Sequence, residues 1–533
     1  MGAYVAEEFT ESETDVLRRY FTNLDSPVFA LVNLPEVVKG ALFARYSRSA
    51  KSLRRLFLDE FVNELDIEGD ATIDATIGLD RAESLYERIF VEYGDDSVAQ
   101  LGGVHLACEQ ASNLLTKVLE WGRLASYLEQ STRYIPYDSR YGGRYRYYRD
   151  PEILASNFGT RYVGDMDRLF DSYAELAPKV EDHIKATVPK APGDSDFIYR
   201  QAVKAKALDA VRGILPAAAQ SNVGIYASGQ AYEQMLIRMR ANPLPEANAY
   251  ADLMLTELRK VIPSFVKRVD VAERGGAHSD YLSDVSMHMA SVADELLTPE
   301  PPDQGASVQL VDFDPEAEVK LVAAMLYPYS RLSETALIDQ IHSMSVEDRL
   351  RVIDAYTGNR TNRRHRPGRA LERPAYRFDI LADYGAFRDL QRHRLLTVEW
   401  QQLNPNHGFT RPDLIDEIGL TDEFDAAMHR SAALFSVLEP FGAASSYAVS
   451  LAYRVRFMMD LNARSAMHML ELRSTPQGHP AYRTVAQQMH TAIAETAGHK
   501  AIAGMMAFVN HSSEADLERL EAERRAEQKR AAL

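Results

Sequence analysis

A basic triplet in the second half of the sequence is the clearest candidate for binding chemistry. It comprises Arg392, His393 and Arg394, within the stretch LQRHRLLTVEWQQLN. Two guanidinium groups place fixed positive charge beside an imidazole, the side chain that titrates near neutral pH. This combination suits an anionic ligand, such as a phosphate or an anionic ring. Taken by itself, the triplet is also typical of a surface turn.

A stretch in the first half looks like the missing part of the same motif. EWGRLASYLEQSTRY (Glu120–Tyr134) places the acid Glu129, the hydroxyls of Ser126 and Ser131 and two arginines in register, but Trp121 and Gly122 stand just before Arg123, where a basic cluster is expected. The second stretch has the opposite defect, because no acid, hydroxyl or arginine follows its triplet at the matching positions. The residues found there are Trp400, Gln402 and Asn404. The chain therefore holds two complementary half-motifs.

Two further segments place charged side chains among apolar ones. Arg212 precedes the sequence GILP and suits a phosphate held by two parallel hydrogen bonds, although a structural salt bridge is an equal alternative. NARSAMHMLELR places Arg464, His468 and Glu471 on one face of a helix, with Arg473 further along. The methionines of this segment are typical of core packing.

Composition and missing fingerprints exclude several classes of protein. The formal net charge of −17 argues against a protein that coats nucleic acid. We find no run of about 18 apolar residues that predicts a membrane span, and no signal peptide. A single cysteine, Cys108, fits a cytoplasmic protein, and its apolar surroundings predict inert core. No metal site is predicted, and the common dinucleotide, NTPase and hydrolase motifs are absent.

The sequence also repeats itself at low identity, which predicts two domains. Arg123 aligns with Arg394 and Ser228 with Asn462, with an insertion in the first half at Ser139–Leu154. A repeat of this length indicates a duplicated domain rather than a solenoid. The proline-rich segment TPEPPDQGAS predicts a linker. We therefore expect a first repeat over 1–297, a linker over 298–310 and a second repeat over 311–533.

Local patterns predict helix-rich halves with some strand. Ser126, Glu129 and Arg133 would share a face on a helix, although a loop could equally gather them. YRFDILADYGAFRDLQRHR alternates at its start, which predicts a strand that passes into a helix ending near the triplet. The C-terminal segment SSEADLERLEAERRAEQKRAAL is predicted to be a solvated helix capped by Ser512 or Ser513.

Both half-motifs resemble one known family. The pattern Arg-x-x-Ser-x-x-Glu-x-Ser-x-Arg-Tyr, from Arg123 to Tyr134, together with the triplet is similar to the signature of the flavin-dependent thymidylate synthases. In that family an R-H-R triplet runs directly into S-x-N-E-x-S-x-R-Y. Further residues of the family pattern are kept in the two halves: Arg212, Leu215 and Pro216 in the first, and Asn462, Arg464, Ser465 and Arg473 in the second.

The resemblance implies a fold, an activity and an assembly. The fold would be α+β, with two tandem copies of the family fold, each helix-rich with a small mixed sheet. The reaction would be reductive methylation of dUMP at C5, with FAD as cofactor, NADPH as reductant and methylenetetrahydrofolate as carbon donor. Family members are homotetramers whose sites are built by neighbouring subunits. A fused chain is therefore expected to form a homodimer that mimics the tetramer.

Departures from the family pattern imply a composite site. Trp121 and Gly122 replace the family's Arg and His, so the first half is expected to have lost flavin binding, while the second half is expected to have lost the nucleotide. The residues of the composite site would be Glu129, Ser131, Arg133 and Arg212 from the first half, and Arg392, His393, Arg394, Asn462, Arg464 and Arg473 from the second. Glu372 and His468 would join the cofactor side. Arg392 and Arg473 are the candidate catalytic residues, and Ser131 would be a binding hydroxyl.

Two other functions stay open at the level of the sequence. One is a flavin-dependent methyltransferase acting on another pyrimidine nucleotide, favoured by Leu128, by His468 and by the insertion Ser139–Leu154. The other is a noncatalytic flavin or nucleotide binder that merely inherits the arginines. Complementation of a thymidine auxotroph would separate thymidylate synthesis from the first alternative, and loss of nucleotide binding on mutation of Arg133 or Arg473 would test the pocket itself.

Overall fold

The structure is a computed structural model that describes residues 4–34, 36–62, 102–298 and 307–512, with the single positions 100, 520 and 524. Within these ranges, no helix combines the length and the apolarity needed to cross a membrane. Most of the predicted linker and nearly all of the predicted C-terminal helix lie outside the described residues.

Nineteen α-helices and eight strands are described in these ranges. The helices are α1 (Glu11–Leu17), α2 (Glu36–Tyr46), α3 (Leu53–Glu60), α4 (Asn113–Leu119), α5 (Pro151–Ala155), α6 (Gly159–Thr187), α7 (Asp196–Val211), α8 (Gly229–Arg240), α9 (Pro245–Arg259), α10 (Ala277–Leu296), α11 (Ala317–Leu326), α12 (Glu334–His342), α13 (Val346–Thr357), α14 (Tyr384–Leu390), α15 (Asp413–Glu417), α16 (Thr421–Leu438), α17 (Ala463–Arg473), α18 (Pro480–Glu495) and α19 (Lys500–Met505). The strands are β1 (Val28–Leu31), β2 (Gly103–Ser112), β3 (Ala125–Glu129), β4 (Gln220–Ser228), β5 (Val308–Phe313), β6 (Ala375–Asp383), β7 (Thr397–Trp400) and β8 (Arg454–Asn462).

The eight strands form two sheets with the same strand order. The first sheet is ordered β1-β2-β4-β3 and the second β5-β6-β8-β7. This repetition confirms the predicted α+β fold with two helix-rich copies. One detail differs from the expectation, because every pairing between the described strands is antiparallel and neither sheet is mixed.

The helix starts show the duplication residue by residue. Ser112 caps α4 where β2 ends, and Asp383 caps α14 where β6 ends. These two caps lie 271 positions apart, the same offset that relates Arg123 to Arg394. Ser228 and Asn462 cap α8 and α17 in the same way. In each case a side-chain oxygen accepts a hydrogen bond from a backbone N–H of the first turn, which fixes where the helix begins.

The chain divides into two compact units that exchange segments. Unit 1 contains Met1–Leu176, Ile214–Pro301 and Asp422–Ser450, and unit 2 contains Ala177–Gly213, Pro302–Thr421 and Leu451–Leu533. The first sheet belongs to unit 1 and the second to unit 2. Helix α7, from the first half of the sequence, therefore folds with the second sheet, while almost all of α16 folds with the first.

Each unit has an apolar core against its own sheet. In unit 1, Phe21 packs edge-on against Phe29 of β1 and against Phe57 of α3, with ring centroids 5.6 and 5.4 Å apart. In unit 2, Phe387 of α14 lies 5.0 Å from Phe457 of β8. Strand β8 alternates buried and half-buried residues, as a strand with one covered face should. The cores thus fix the strand ends from which the site helices start.

Two local predictions had different outcomes. The segment with Ser126, Glu129 and Arg133 does not form a helix, because residues 125–129 pair as β3 with β4 and a turn follows. The spacing of three and four was a coincidence of a strand and a turn. YRFDILADYGAFRDL was predicted correctly, since it folds as β6 followed by α14.

A buried carboxyl group lies in the core of unit 1. Glu246 is 0% exposed, and its Oε1 accepts a hydrogen bond from the Ser112 backbone N–H at 2.8 Å. Its Oε2 lies 2.5 Å from the Ser112 hydroxyl and 2.8 Å from the hydroxyl of Tyr447. Burial raises the pKa of Glu246 to about 7, because the charged form is poorly solvated there.

This carboxyl group predicts a pH-dependent stability. Between the ordinary glutamate pKa of 4.5 and about 7, the folded chain holds a proton that the unfolded chain has lost. The free energy of unfolding should therefore fall by on the order of 3 kcal/mol as the pH rises from 4.5 to 7. Denaturant titrations at several pH values measure this slope. In Glu246→Gln the slope should flatten, and an unchanged slope would assign it to another group.

Candidate functional site

Helix α14 ends two residues before the first arginine of the basic triplet. Its cap, Asp383, is 7% exposed and accepts a hydrogen bond from the Ala386 N–H at 2.8 Å. Every residue of α14 is buried, so the short helix is held firmly on the second sheet. The triplet follows within four residues of its last turn. The position of the triplet is therefore set by the core of unit 2 rather than by a mobile loop.

One carboxylate of unit 2, Asp389, forms ion pairs with three arginines. Its Oδ2 lies 3.6 Å from Arg212 Nη1. Its Oδ1 lies 3.3 Å from Arg392 Nη1 and 3.8 Å from Arg473 Nη1. Because one negative charge faces three guanidinium groups, these four side chains retain a net positive charge. Such a cluster is a strong candidate for binding an anion.

Arg212 links the two halves of the sequence within unit 2. It ends α7 and is 4% exposed, and its Nη2 has no hydrogen-bond partner among the described residues. A Cβ on Gly385 would lie 3.3 Å from that atom and 3.0 Å from Asp383 Oδ1, so glycine leaves room there. A buried donor without a partner is costly, and a ligand oxygen would satisfy it.

His393 is held by the cluster in its neutral form. Arg473 Nε donates a hydrogen bond to His393 Nε2 at 2.9 Å, so this ring nitrogen is an acceptor. Burial and the neighbouring Arg473 lower the pKa of His393 well below its ordinary value. The ring of His468 lies 5.5 Å away, and burial lowers the pKa of His468 as well. Contrary to what its type suggests, His393 is an uncharged hydrogen-bonding group at neutral pH.

The hydrogen bond from Arg473 predicts one tautomer for His393. With Nε2 as acceptor, the ring proton must lie on Nδ1. Long-range ¹H–¹⁵N spectra of the ¹⁵N-histidine protein should show this ring neutral and unchanged from pH 6 to 8. Comparison with His393→Gln assigns the signal. A chemical shift that titrates near pH 6.5 would contradict the burial argument.

The remaining residues predicted on the cofactor side lie at the start of α17. Glu372 lies 3.2 Å from Arg464 Nη1 and 3.1 Å from Arg369 Nη2. The hydrogen bond from Arg369 is the main cause that lowers the pKa of Glu372. Asn462 caps α17, and the hydroxyl of Ser465 donates to the Leu395 carbonyl at 2.7 Å, just beyond the triplet. This hydrogen bond holds the loop after the triplet against the start of α17. Arg394, the last residue of the triplet, is half-buried.

Three residues predicted on the nucleotide side, Glu129, Ser131 and Arg133, lie in unit 1, whereas Arg212 lies in unit 2. Glu129 ends β3, and its carboxylate is fully buried at 3.2 Å from Lys117 Nζ. Glu120 lies 2.5 Å from the same nitrogen. Ser131 is half-buried and its hydroxyl accepts from the Arg133 N–H at 3.3 Å, which shapes the turn after β3. The structure brings Glu129, Ser131 and Arg133 together on one short segment, with the carboxylate already paired.

The two tryptophans mark where each half departs from the family pattern. Trp121 is 42% exposed and stacks under Arg238, whose guanidinium carbon lies 4.6 Å from the ring centroid. Trp400 lies at the end of β7, with its ring 5.3 Å from that of Phe387. Aromatic packing thus occupies both positions at which a charged group is missing.

In the inserted segment Ser139–Leu154, two arginines pack against tyrosine rings of the same segment. The guanidinium of Arg140 lies 4.7 Å from the ring of Tyr145, and that of Arg149 lies 3.9 Å from the ring of Tyr147. Burial raises the pKa of Tyr147 above its ordinary range. These contacts are typical of cation–π packing. They make the insertion a packed part of unit 1.

Sequence reasoning missed the two residues that organise the charges. Asp389 stands three positions before Arg392, a spacing that brings side chains together on a helix, and this was the available signal. Lys117 lies on α4, twelve positions before Glu129, and nothing local connects them. Glu471, expected beside His468, is buried and pairs instead with both terminal nitrogens of Arg360. Cys108 is 0% exposed, as predicted for inert core.

No group of three or more histidine, cysteine, aspartate or glutamate side chains in the described part of the chain has the arrangement of a metal site.

Comparisons with known proteins agree with this picture. The family model described as "Thymidylate synthase complementing protein" matches residues 42–264 and 309–497. The chain is 39% identical to the UPF0159 protein of Chlamydia muridarum over 526 residues, 97% of this chain and 98% of that one. It is 28% identical to the flavin-dependent thymidylate synthase of Clostridium tetani over 181 residues, 34% of this chain and 67% of that one.

A solved structure adds a further likeness. The UMP/dUMP methylase PolB of Streptomyces cacaoi, bound with 5-Br dUMP, is 17% identical, with a TM-score of 0.29; the match covers 38% of this chain and 97% of that one. The family model itself covers most of this chain, in two segments that each contain strands of one of the two like-ordered sheets. The chain therefore belongs to the flavin-dependent thymidylate synthase family, as a tandem fusion of two diverged copies.

Proposed function

We propose that this protein is an FAD-dependent nucleotide methyltransferase that converts dUMP to its C5-methylated product, with methylenetetrahydrofolate as carbon donor and NADPH as reductant. The observation that carries the proposal is the cluster of Arg212, Arg392 and Arg473 around Asp389. Its excess positive charge fits an anionic ligand, as does Arg212 Nη2, which has no hydrogen-bond partner in the described part of the chain. Because the chain belongs to this family, we infer that the anionic ligand is the flavin cofactor or the nucleotide substrate.

The residues of unit 2 fit FAD in the chemistry of their donors. Arg392, Arg394 and Arg464 offer guanidinium groups, and neutral His393 and Asn462 add uncharged polar atoms. Bound FAD would supply the hydride for the reduction. The chain would hold its anionic groups through the arginines, and His468 and Glu372 would complete this side. The net positive cluster would also stabilise negative charge that develops on the ring during reduction.

The chain's own contribution to methylation is binding and charge stabilisation. Arg473 and Arg392 would donate to the pyrimidine oxygens and the phosphate, where preorganised donors stabilise developing negative charge. Ser131 would bind the nucleotide as a hydroxyl and would not act as a nucleophile. Cys108 is unsuited to nucleophilic attack, since burial raises the pKa of its thiol far above the ordinary range.

Residues of both sequence repeats would serve this one activity. Arg212, from the first repeat, already lies with the triplet of the second repeat in unit 2. We assign Glu129, Ser131 and Arg133 to the nucleotide on the strength of the family pattern. The repeats would span 1–297 and 311–533, as the sequence predicts. Each compact unit contains segments from both repeats.

The visible spectrum of the purified protein tests the proposal. With FAD added, we expect about one bound flavin per chain, and a spectral shift when dUMP follows. Arg392→Ala should weaken flavin binding at least tenfold, because it removes a cation from the cluster. Arg331→Ala is the matched control, since Arg331 is an exposed arginine of the same unit. Two flavins per chain would contradict the loss inferred for the first half.

The methylation assay then separates substrates. Deuterated carbon donor or tritium release from C5 of the base should report turnover with dUMP. Turnover with UMP and none with dUMP would assign the enzyme to a different pyrimidine nucleotide. Binding of FAD without turnover of either nucleotide would leave a noncatalytic binder and overturn the proposed activity.

A further inference from the structure

Helix α10 carries an apolar stripe that the rest of the described chain leaves exposed. Ser279 is the one buried residue of this 20-residue helix, and its hydroxyl donates to the Ile237 carbonyl at 3.1 Å. Beyond this anchor in its first turn, the helix has few neighbours. It also lies outside both segments that the family model matches, which end at residue 264 and resume at 309. The helix lies between the two matched segments.

The apolar residues of α10 follow a heptad spacing. Steps of three and four residues separate Leu282, Val285, Met289, Val292 and Leu296. Four of the five are conspicuously open to solvent, with exposed fractions of 42% for Val285, 60% for Met289, 43% for Val292 and 72% for Leu296. Alternating steps of three and four place these side chains along one side of a helix, the pattern by which two helices pair. A contiguous exposed apolar patch of this kind marks an interaction surface.

We propose that α10 pairs with α10 of a second copy of this chain, antiparallel and about a two-fold axis beside Met289. The stripe reads Leu-Val-Met-Val-Leu, the same in both directions. In such a pair Leu282 faces Leu296 of the second copy, and Val285 lies within one residue of the position that faces Val292. A two-fold interface brings the same surface of both copies together, and this order lets side chains of similar size face each other.

The charges of α10 are compatible with this pairing. Of the four acidic residues of α10, Asp280, Asp284 and Asp294 lie on the side away from the stripe and only Glu295 flanks it, so two copies would not bring the three aspartates face to face. An antiparallel pair also places the positive end of each helix dipole near the negative end of the other.

The size of the seam fits a modest but specific dimer. At 1.5 Å per residue, α10 is about 30 Å long. Two such stripes in contact, with the flanking Tyr281, would bury on the order of 1,000 Å² in total, the lower bound for a specific interface. The contact would add to any other contact between copies.

Cysteine cross-linking of the full chain tests the seam directly. The natural protein offers almost no background, because its one cysteine, Cys108, is fully buried. In Met289→Cys the two new thiols lie beside the two-fold axis, so a mild oxidant or a short bismaleimide should give a covalent dimer. Met287→Cys is the matched control, since Met287 is equally exposed at 60% but lies on the opposite side of the helix.

Adding Val285→Asp to Met289→Cys should lower the yield of covalent dimer at least tenfold. Circular dichroism confirms that the double variant is folded. Sedimentation of the unmodified protein should give twice the chain mass of 59.9 kDa. Equal yields from Met289→Cys and Met287→Cys, no covalent dimer from Met289→Cys, or a sedimenting mass of one chain would each overturn the proposal. None of these results depends on flavin binding or methylation, so the two proposals fail separately.

Discussion

Replacing Arg473 with alanine should lower the rate of dUMP methylation roughly 100- to 1,000-fold, the usual cost of removing a preorganised donor to developing negative charge. Arg473 is both a cation facing Asp389 and the donor that holds the His393 ring at 2.9 Å. Its loss would remove charge and leave the ring of His393 without its partner. Single-turnover and steady-state assays with dUMP measure the effect on kcat separately from the effect on KM.

Arg473→Lys and Arg331→Ala are the controls for this prediction. Lysine keeps the charge but lacks the Nε–H and the planar fork, so we expect only partial activity in Arg473→Lys. Arg331→Ala removes an exposed arginine of the same unit and should leave kcat and KM unchanged. An Arg473→Ala enzyme with full activity would exclude Arg473 from the reaction and would place the methylation chemistry elsewhere in the protein.

Replacing Lys117 with methionine should have the largest effect on stability, a loss of about 3–5 kcal/mol. The three side chains of this group, Lys117, Glu120 and Glu129, are between 0% and 3% exposed. Without the lysine, two buried carboxylates would lose the ammonium group that pairs with both of them. Breaking a buried ion pair from one side is costly for this reason. Denaturant unfolding followed by circular dichroism measures the loss.

A triple variant distinguishes charge from packing in this group. If unpaired charge is the cause, Lys117→Met combined with Glu120→Gln and Glu129→Gln should recover most of the lost stability. If the single variant were as stable as the natural protein, these carboxylates would have to take up protons or water instead. Since Glu129 belongs to the family motif, the same variants report how far its predicted role in nucleotide binding depends on Lys117.

The sequence was enough to predict what depends on local pattern and order along the chain. YRFDIL alternates and therefore indicated β6, and the offsets between Arg123 and Arg394 and between Ser228 and Asn462 indicated a duplication. The structure repeats that duplication in its strand order and helix caps. The core role of Cys108 followed from its apolar neighbours. Each of these inferences needed only the order and spacing of residues along the chain.

Features that depend on distant contacts were out of reach. Arg212 meets Asp389 across 177 positions of sequence, and only the exchange of α7 into unit 2 brings them together. The spacing of Ser126, Glu129 and Arg133 is compatible with a helix. Residues 125–129 form a strand instead, because they pair with β4. The neutral state of His393 depends on its burial beside Arg473, which the letters of the triplet do not contain. Tertiary contacts therefore decided the chemistry of residues that the sequence had already indicated.

The exchange of segments has a consequence for attempts to divide this protein. Because each unit contains chain from both repeats, fragments cut at residues 298–310 would not be independent modules. Each piece would keep the four strands of its sheet but would lack the segment that its unit takes from the other piece, Asp422–Ser450 in unit 1 and Ala177–Gly213 in unit 2. After cleavage in the linker, the two polypeptides would remain associated because each unit contains segments of both. They would separate only on denaturation. If the two repeats were made as separate chains, each would need the other to supply the missing segment of its unit.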